Sequence, residues 1–126
     1  MSEPLVLALP PIYSRIIPFE LTFSGAQGEA YSVWVVESGA FELSALSVRC
    51  DVPMDLNVCD TSPGIPIGFL QLLPGSYLPL NLGTGRVRSA SYTNSRLILM
   101  DPVGGATVRV KGIVYGYELT REGYYR

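Results

Sequence analysis

At 126 residues the chain is long enough to close one hydrophobic core and too short to hold two domains. Hydrophobic residues make up 48% of it and charged residues 16%, against about 25% charged in ordinary soluble domains, so some apolar surface is expected to be covered by another chain. The net charge of −2 carries no basic block, which leaves no electrostatic footprint for DNA or RNA.

The first segment, residues 4 to 18, reads PLVLALPPIYSRIIP. Its apolar run Leu5-Val6-Leu7-Ala8-Leu9 is short, has no basic residue before it and meets two prolines at once, so it is expected to be neither a signal peptide nor a membrane span. It reads as an extended arm whose apolar side chains, among them Leu5, Leu7, Leu9, Ile12, Tyr13 and Ile16, need a partner surface. No later run is long and unbroken enough for a transmembrane helix, and the chain reads as made in the cytoplasm.

Beyond the arm the pattern alternates with period two and shows almost no helical period. Phe19, Leu21 and Phe23 alternate with Glu20 and Thr22, which predicts a first strand. A second strand follows, with Tyr31, Val33 and Val35 on one face and Ser32, Trp34 and Val36 on the other. Ser38-Gly39-Ala40 reads as a turn. Phe41 and Leu43 then alternate until Ala45, where the phase slips to Leu46, Val48 and Cys50, the mark of a bulge or of a strand crossing between sheets.

The run Met54 to Cys59 is expected to form a hairpin with the preceding strand around Asp51-Val52-Pro53-Met54. In that register Cys50 lies opposite Asp55, and Cys59 falls four residues further along, roughly 13 Å away. That exceeds the disulfide reach of about 7 Å between Cα atoms, so both cysteines are expected to be free thiols.

From Thr61 to Gly85 there is no charged residue, but there are four prolines and five glycines. Prolines cannot donate to a ladder and belong at edges or in loops, and charge is depleted from interface cores. This window therefore reads as contact surface, with Phe69, Leu72, Leu73 and Tyr77 around its tip. Pairing resumes at Arg86-Val87-Arg88 and again from Arg96 to Met100. Gly104-Gly105 makes a turn, and the longest strand runs from Thr107 to Leu119. There Gly112 and Gly116 interrupt the face of Val108, Val110 and Val114, as they would where another backbone lies close. Strands recurring every 8 to 12 residues predict an all-β, antiparallel sandwich or barrel. The organisation expected is an N-terminal arm over 1–17, a β-sandwich domain over 18–120 and a C-terminal tail over 121–126.

The chemistry is mostly absence. The chain has no histidine, which removes the usual general base, the Ser-His and Cys-His nucleophile pairs and most zinc sites. Lys111, the one lysine, sits mid-strand and reads as a solvated side chain. Asp51, Asp55, Asn57 and Asp60 are the nearest approach to an oxygen-ligand set for calcium. Their spacing matches no EF-hand loop, and Asp and Asn near strand ends ordinarily serve turns. Gly83-Thr84-Gly85 lacks the lysine and helix of a phosphate loop. No enzyme, cofactor or metal is expected. Trp34, eight tyrosines and eight arginines match the composition of interface cores instead, with Tyr124 and Tyr125 joining the expected contacts.

Several features together resemble the small β-sandwich or jelly-roll structural proteins of tailed bacteriophage virions. They are Ile17-Pro18-Phe19 opening a core strand, Gly39-Ala40-Phe41-Glu42-Leu43, the proline-punctuated middle, Thr93-Asn94-Ser95 leading into a strand, and the closing Val108-Arg109-Val110-Lys111-Gly112. The resemblance spans residues 17 to 119 as a pattern, without a motif peculiar to one family. It implies a jelly-roll-like sandwich in a virion, decorating or cementing the capsid, or an accessory part of the tail. It also implies a homo-oligomer, often a trimer, with the major capsid protein or another virion protein as partner, and no role for nucleic acid or membrane. A carbohydrate- or receptor-binding module of a tail or adhesin is the alternative, favoured if Trp34 or Tyr77 stands exposed on a concave sheet face.

Overall fold

The computed structural model describes residues 15–75, 78–81 and 87–126. The arm positions Leu5, Leu7, Leu9, Ile12 and Tyr13, together with Tyr77, lie outside the described residues.

Nine strands are present: β1 (Arg15–Phe23), β2 (Ala30–Val36), β3 (Gly39–Cys50), β4 (Met54–Asp60), β5 (Pro66–Leu72), β6 (Leu78–Asn81), β7 (Val87–Arg88), β8 (Ser95–Met100) and β9 (Val108–Thr120). They form two antiparallel sheets. The first runs β1-β9-β3-β6, with β7 pairing further along the same edge of β3, and the second runs β2-β8-β4-β5. Chain and sheet order together are those of a jelly roll, in which the connections cross repeatedly from one sheet to the other.

Between the sheets lies a single core. It takes Phe41, Leu43, Leu46, Val48, Val110 and Val114 from the first sheet and Trp34, Leu56, Val58, Leu70, Leu72, Leu97 and Leu99 from the second. Within each regular stretch alternation selects these residues, because successive side chains leave a strand on opposite faces, and bulges reset the parity in β2 and β3. β1 begins at Arg15, within the stretch assigned to the arm, and its Ile17, Phe19 and Leu21 pack against the core from the sheet edge.

The phase slip at Ala45 is a bulge between Leu43 and Ala45 in the ladder with β9. The extra residue, Ser44, is buried, and its hydroxyl has no hydrogen-bond partner among the described residues. A second bulge, between Ser32 and Trp34, was not legible, and it corrects the assignment of faces in β2. Val33 and Trp34 are both buried, while Val35 points to solvent.

Gly112 and Gly116 mark close approaches. A Cβ on Gly112 would overlap the Ser47 carbonyl oxygen of β3 and come within 2.5 Å of the Phe19 ring. One on Gly116 would overlap the Glu42 carbonyl oxygen and stand 3.0 Å from the Trp34 ring.

The expected hairpin between β3 and β4 is not formed. β3 pairs with β9, β6 and β7, and β4 pairs with β5 and β8 in the other sheet. The link at Asp51–Pro53 is therefore a crossing between sheets, anchored where Asp51 Oδ1 accepts the Arg109 N–H at 2.8 Å. Both cysteines are nonetheless free and buried. Cys50 ends β3 opposite Val110, and Cys59 lies five residues along β4, roughly 16 Å from its start. Burial pushes both thiols above their ordinary pKa.

Candidate contact surface

The charge-free window contributes an edge strand to each sheet, β5 to the second and β6 to the first. Pro66 opens β5, a position where no ladder donor is missed. Along β5 the side chains divide sharply. Leu70 and Leu72 turn into the core, at 5% and 2% exposed, and Phe69 turns out at 71%. Leu72, expected among the contact residues, is corrected to a core residue, because the strand's alternation sends it to the inner face. Leu73, just past the strand, is 67% exposed.

On the outer face of the second sheet, Phe69 pairs with Asn57, Asn57 with Met100, and Met100 with Ala30. These four lie in one row across all four strands. The next row holds Pro66, Cys59, Ile98 and Ser32. Residues 61–65 turn back over it, with the Cys59 thiol donating to the Pro63 carbonyl at 3.4 Å and Asp60 N–H to Ile65 O at 2.9 Å. By the ladder register, the charged side chains on this face among the described residues are Asp55 and Arg96.

The outer face of the first sheet is finished differently at the Thr120 end of β9. There the chain turns back, with Tyr124 O accepting the Thr120 N–H at 2.7 Å and a bridge pairing Tyr125 with Leu119. Tyr125 packs edge-on against Tyr117 at 5.4 Å, and the Arg88 guanidinium sits over the Tyr125 ring at 5.9 Å. Beneath them Glu42 is 4% exposed, with Oε1 3.5 Å from Arg88 Nε and 3.4 Å from the Tyr125 hydroxyl that donates to it. Hydrogen bonding to Tyr125 and Tyr92, and then the charge of Glu42, hold the Arg88 guanidinium above its usual pKa. Arg126 fastens the turn, donating through Nη1 to Glu118 Oε1 at 2.7 Å and through Nη2 to Ser38 O at 3.0 Å. Of the two expected tail contacts both are exposed, Tyr124 at 72% and Tyr125 at 54%, although Tyr125 also packs on Tyr117 and bonds Glu42 within its own chain. Ile16 is exposed at the β1 edge.

The four oxygen-bearing candidates are not gathered. Asp51 is committed to the Arg109 N–H. Asp60, at the far end of β4, accepts from the Thr61 hydroxyl and the Ser89 hydroxyl at 2.7 Å each and from the Ala90 N–H at 2.8 Å. Asp55 stands opposite Gln71, and Asn57 lies in the Phe69 row. Among the described residues no group of three or more His, Cys, Asp or Glu side chains is placed to hold a metal ion. Asp60 instead ties β4 to the 89–91 loop. That role was invisible in the sequence, where Ser89 is an ordinary loop residue 29 positions away.

Trp34, at 4% exposed, packs at a tilt against Phe41 inside the core, with ring centroids 5.7 Å apart. Fold and surface together define the chain as an all-β, two-sheet sandwich whose outer faces are each partly covered, the first by the C-terminal turn and the second by residues 61–65. No family model, no curated protein and no solved structure matches it.

Proposed function

We propose that this protein is a structural subunit of a tailed-bacteriophage virion that acts by contact, most simply as a capsid decoration or cement protein. Its contact surface is the outer face of the second sheet and the β5 edge. The observation that carries the reading is Phe69, 71% exposed in a cross-strand row without a formal charge, on an edge strand written without one charged residue. Large aromatics in charge-depleted surroundings are the usual anchors of interfaces, and an unpaired edge strand offers further backbone donors and acceptors to a partner. The jelly-roll order of the sheets supports the class. The carbohydrate- or receptor-binding alternative gains nothing from Trp34, which is core.

The test is cosedimentation of the purified protein with particles of the virus that encodes it, with light scattering of the free protein in parallel. Phe69→Asp is expected to weaken particle binding or self-association by about 2 kcal/mol, the scale of an interface hot spot, with an unchanged circular dichroism spectrum. A wild-type protein that neither sediments with particles nor self-associates at tens of micromolar would remove the proposal.

A further inference from the structure

Two open sheets leave four edges, and each edge offers a row of unused backbone donors and acceptors to any strand that meets it. Proteins ordinarily blunt such edges with proline, charge, a bulge or shortness, and three of the four here are blunted. β1 carries Pro18 and Glu20 near its middle. β2 is broken by the bulge between Ser32 and Trp34. The third edge is divided between β6, four residues with Pro79 among them, and β7, two residues long.

The fourth edge is β5, the last strand in the order of the second sheet. It carries no charge, and its single proline holds the first position. Its one irregularity in the ladder with β4, between Val58 and Cys59, falls beside Pro66 and leaves Gly68 to Leu72 in regular register. Phe69, 71% exposed, is the fourth of its seven residues.

We infer that β5 pairs antiparallel with β5 of a second copy about a two-fold axis at Phe69, joining the two four-stranded sheets into one continuous sheet. The pairing rests on the reading of the β5 edge as contact surface and names its occupant. Such an axis sets a residue opposite its own copy and keeps inner and outer faces matched. Phe69 then meets Phe69 of the second copy, an aromatic cross-strand pair, and on the inner face Leu70 meets the small Gly68. Charge favours a second copy as the occupant. The uncharged row of Ala30, Met100, Asn57 and Phe69 runs on into the same row reversed. Of the two charged side chains on that face among the described residues, Asp55 is the nearer, opposite Gln71. The axis holds it roughly 20 Å from its copy, three strand spacings across and four residues along, past the screening length of about 8 Å. An acidic chain can thus pair with itself here without bringing like charges together, and the two-fold closes as a dimer instead of the trimer that the resemblance implies.

Sedimentation velocity of the wild-type chain, from low micromolar to submillimolar concentration, is expected to show a monomer–dimer equilibrium. Amide hydrogen exchange over the same range should slow with concentration in β5 and stay constant in β1, the longest blunted edge. Phe69→Cys, mildly oxidised, should cross-link into a dimer, because Cα atoms about 4.5–5.5 Å apart across a ladder lie within disulfide reach. Gln71→Cys, roughly 14 Å from its copy, should not, and the native thiols are buried. A chain that stays monomeric yet sediments with particles overturns the pairing and leaves the particle reading standing, and one that does neither overturns both. A dimer that cross-links through Phe69→Cys without sedimenting with particles upholds the pairing while the capsid role fails. A dimer whose β5 amides gain no protection, or that cross-links through Gln71→Cys and not Phe69→Cys, overturns the pairing.

Discussion

On the outer face of the first sheet, the aromatic side chain of Tyr117 is covered by Tyr125, which the C-terminal turn carries back across it. On the outer face of the second sheet, Phe69 has no such cover and stands 71% exposed. Both faces come from the same alternating strand chemistry, and in a sandwich each sheet must turn one side outward. The difference is what the chain lays over each side. On the first sheet the C-terminal turn carries a tyrosine hydroxyl over a buried carboxylate, Glu42, with an arginine beside it. On the second, residues 61–65 turn back over the Cys59 row, and the uncharged row of Phe69, Asn57, Met100 and Ala30 stays open.

The sharpest test of this contrast sits within one strand. Leu72→Asp places a charge in the core and is expected to cost about 4 kcal/mol or more, enough to unfold a domain of ordinary stability. Phe69→Asp, three residues away, should change stability by no more than about 0.5 kcal/mol. Urea denaturation followed by circular dichroism separates the two, and equal losses would break the distinction between the inner and outer faces of β5.

Next in size is Gly112→Ala, which forces a methyl group against the Ser47 carbonyl and the Phe19 ring. A loss of about 3 kcal/mol is expected for such overpacking against backbone, read as a fall in urea midpoint with an unchanged slope. Deleting residues 123–126 uncovers Tyr117 and removes Tyr125 from Glu42. It should cost about 2 kcal/mol, because a buried carboxylate loses a donor, and the Tyr117 ring should become accessible to iodination.

Ser44→Ala removes a buried hydroxyl that has no hydrogen-bond partner among the described residues. It is expected to raise stability by about 1 kcal/mol, seen as a higher melting temperature. The smallest effect belongs to the thiols. Both folded-state pKa values are raised by burial, so their contribution to stability is complete below the unfolded thiol value of about 8.5. It is lost as pH rises through the folded values. Native protein should therefore react slowly with a thiol reagent at pH 7, denatured protein should titrate two thiols per chain, and urea midpoints should fall above about pH 9.

Much of this was written locally. The period-two runs, the phase slip at Ala45, the edge placement of Pro66 and the close backbone at Gly112 and Gly116 are all consequences of how one strand lies against its nearest neighbour. The sequence carries them because side-chain parity and the space beside a glycine are properties of a few consecutive residues. The bulge at Val33 escaped because its neighbours Trp34 and Val36 are apolar on either phase. The inward turn of Leu72 was readable from parity, but it was hidden by treating the charge-free window as one surface.

Alone, the sequence determined a β-rich chain with core and surface faces along most strands and a charge-free middle; the two free cysteines were expected correctly, but from a hairpin that does not form. Only the tertiary structure decided that the Asp51–Pro53 link crosses between sheets, since the partner of Cys50 is Val110, sixty positions on, and no local signal encodes so distant a pairing. The same holds for Trp34 in the core, for Asp60 tied to Ser89, and for the turn that lays Tyr125 over Glu42. Each depends on which strands become neighbours, and that is settled by burying both sheets' inner faces at once.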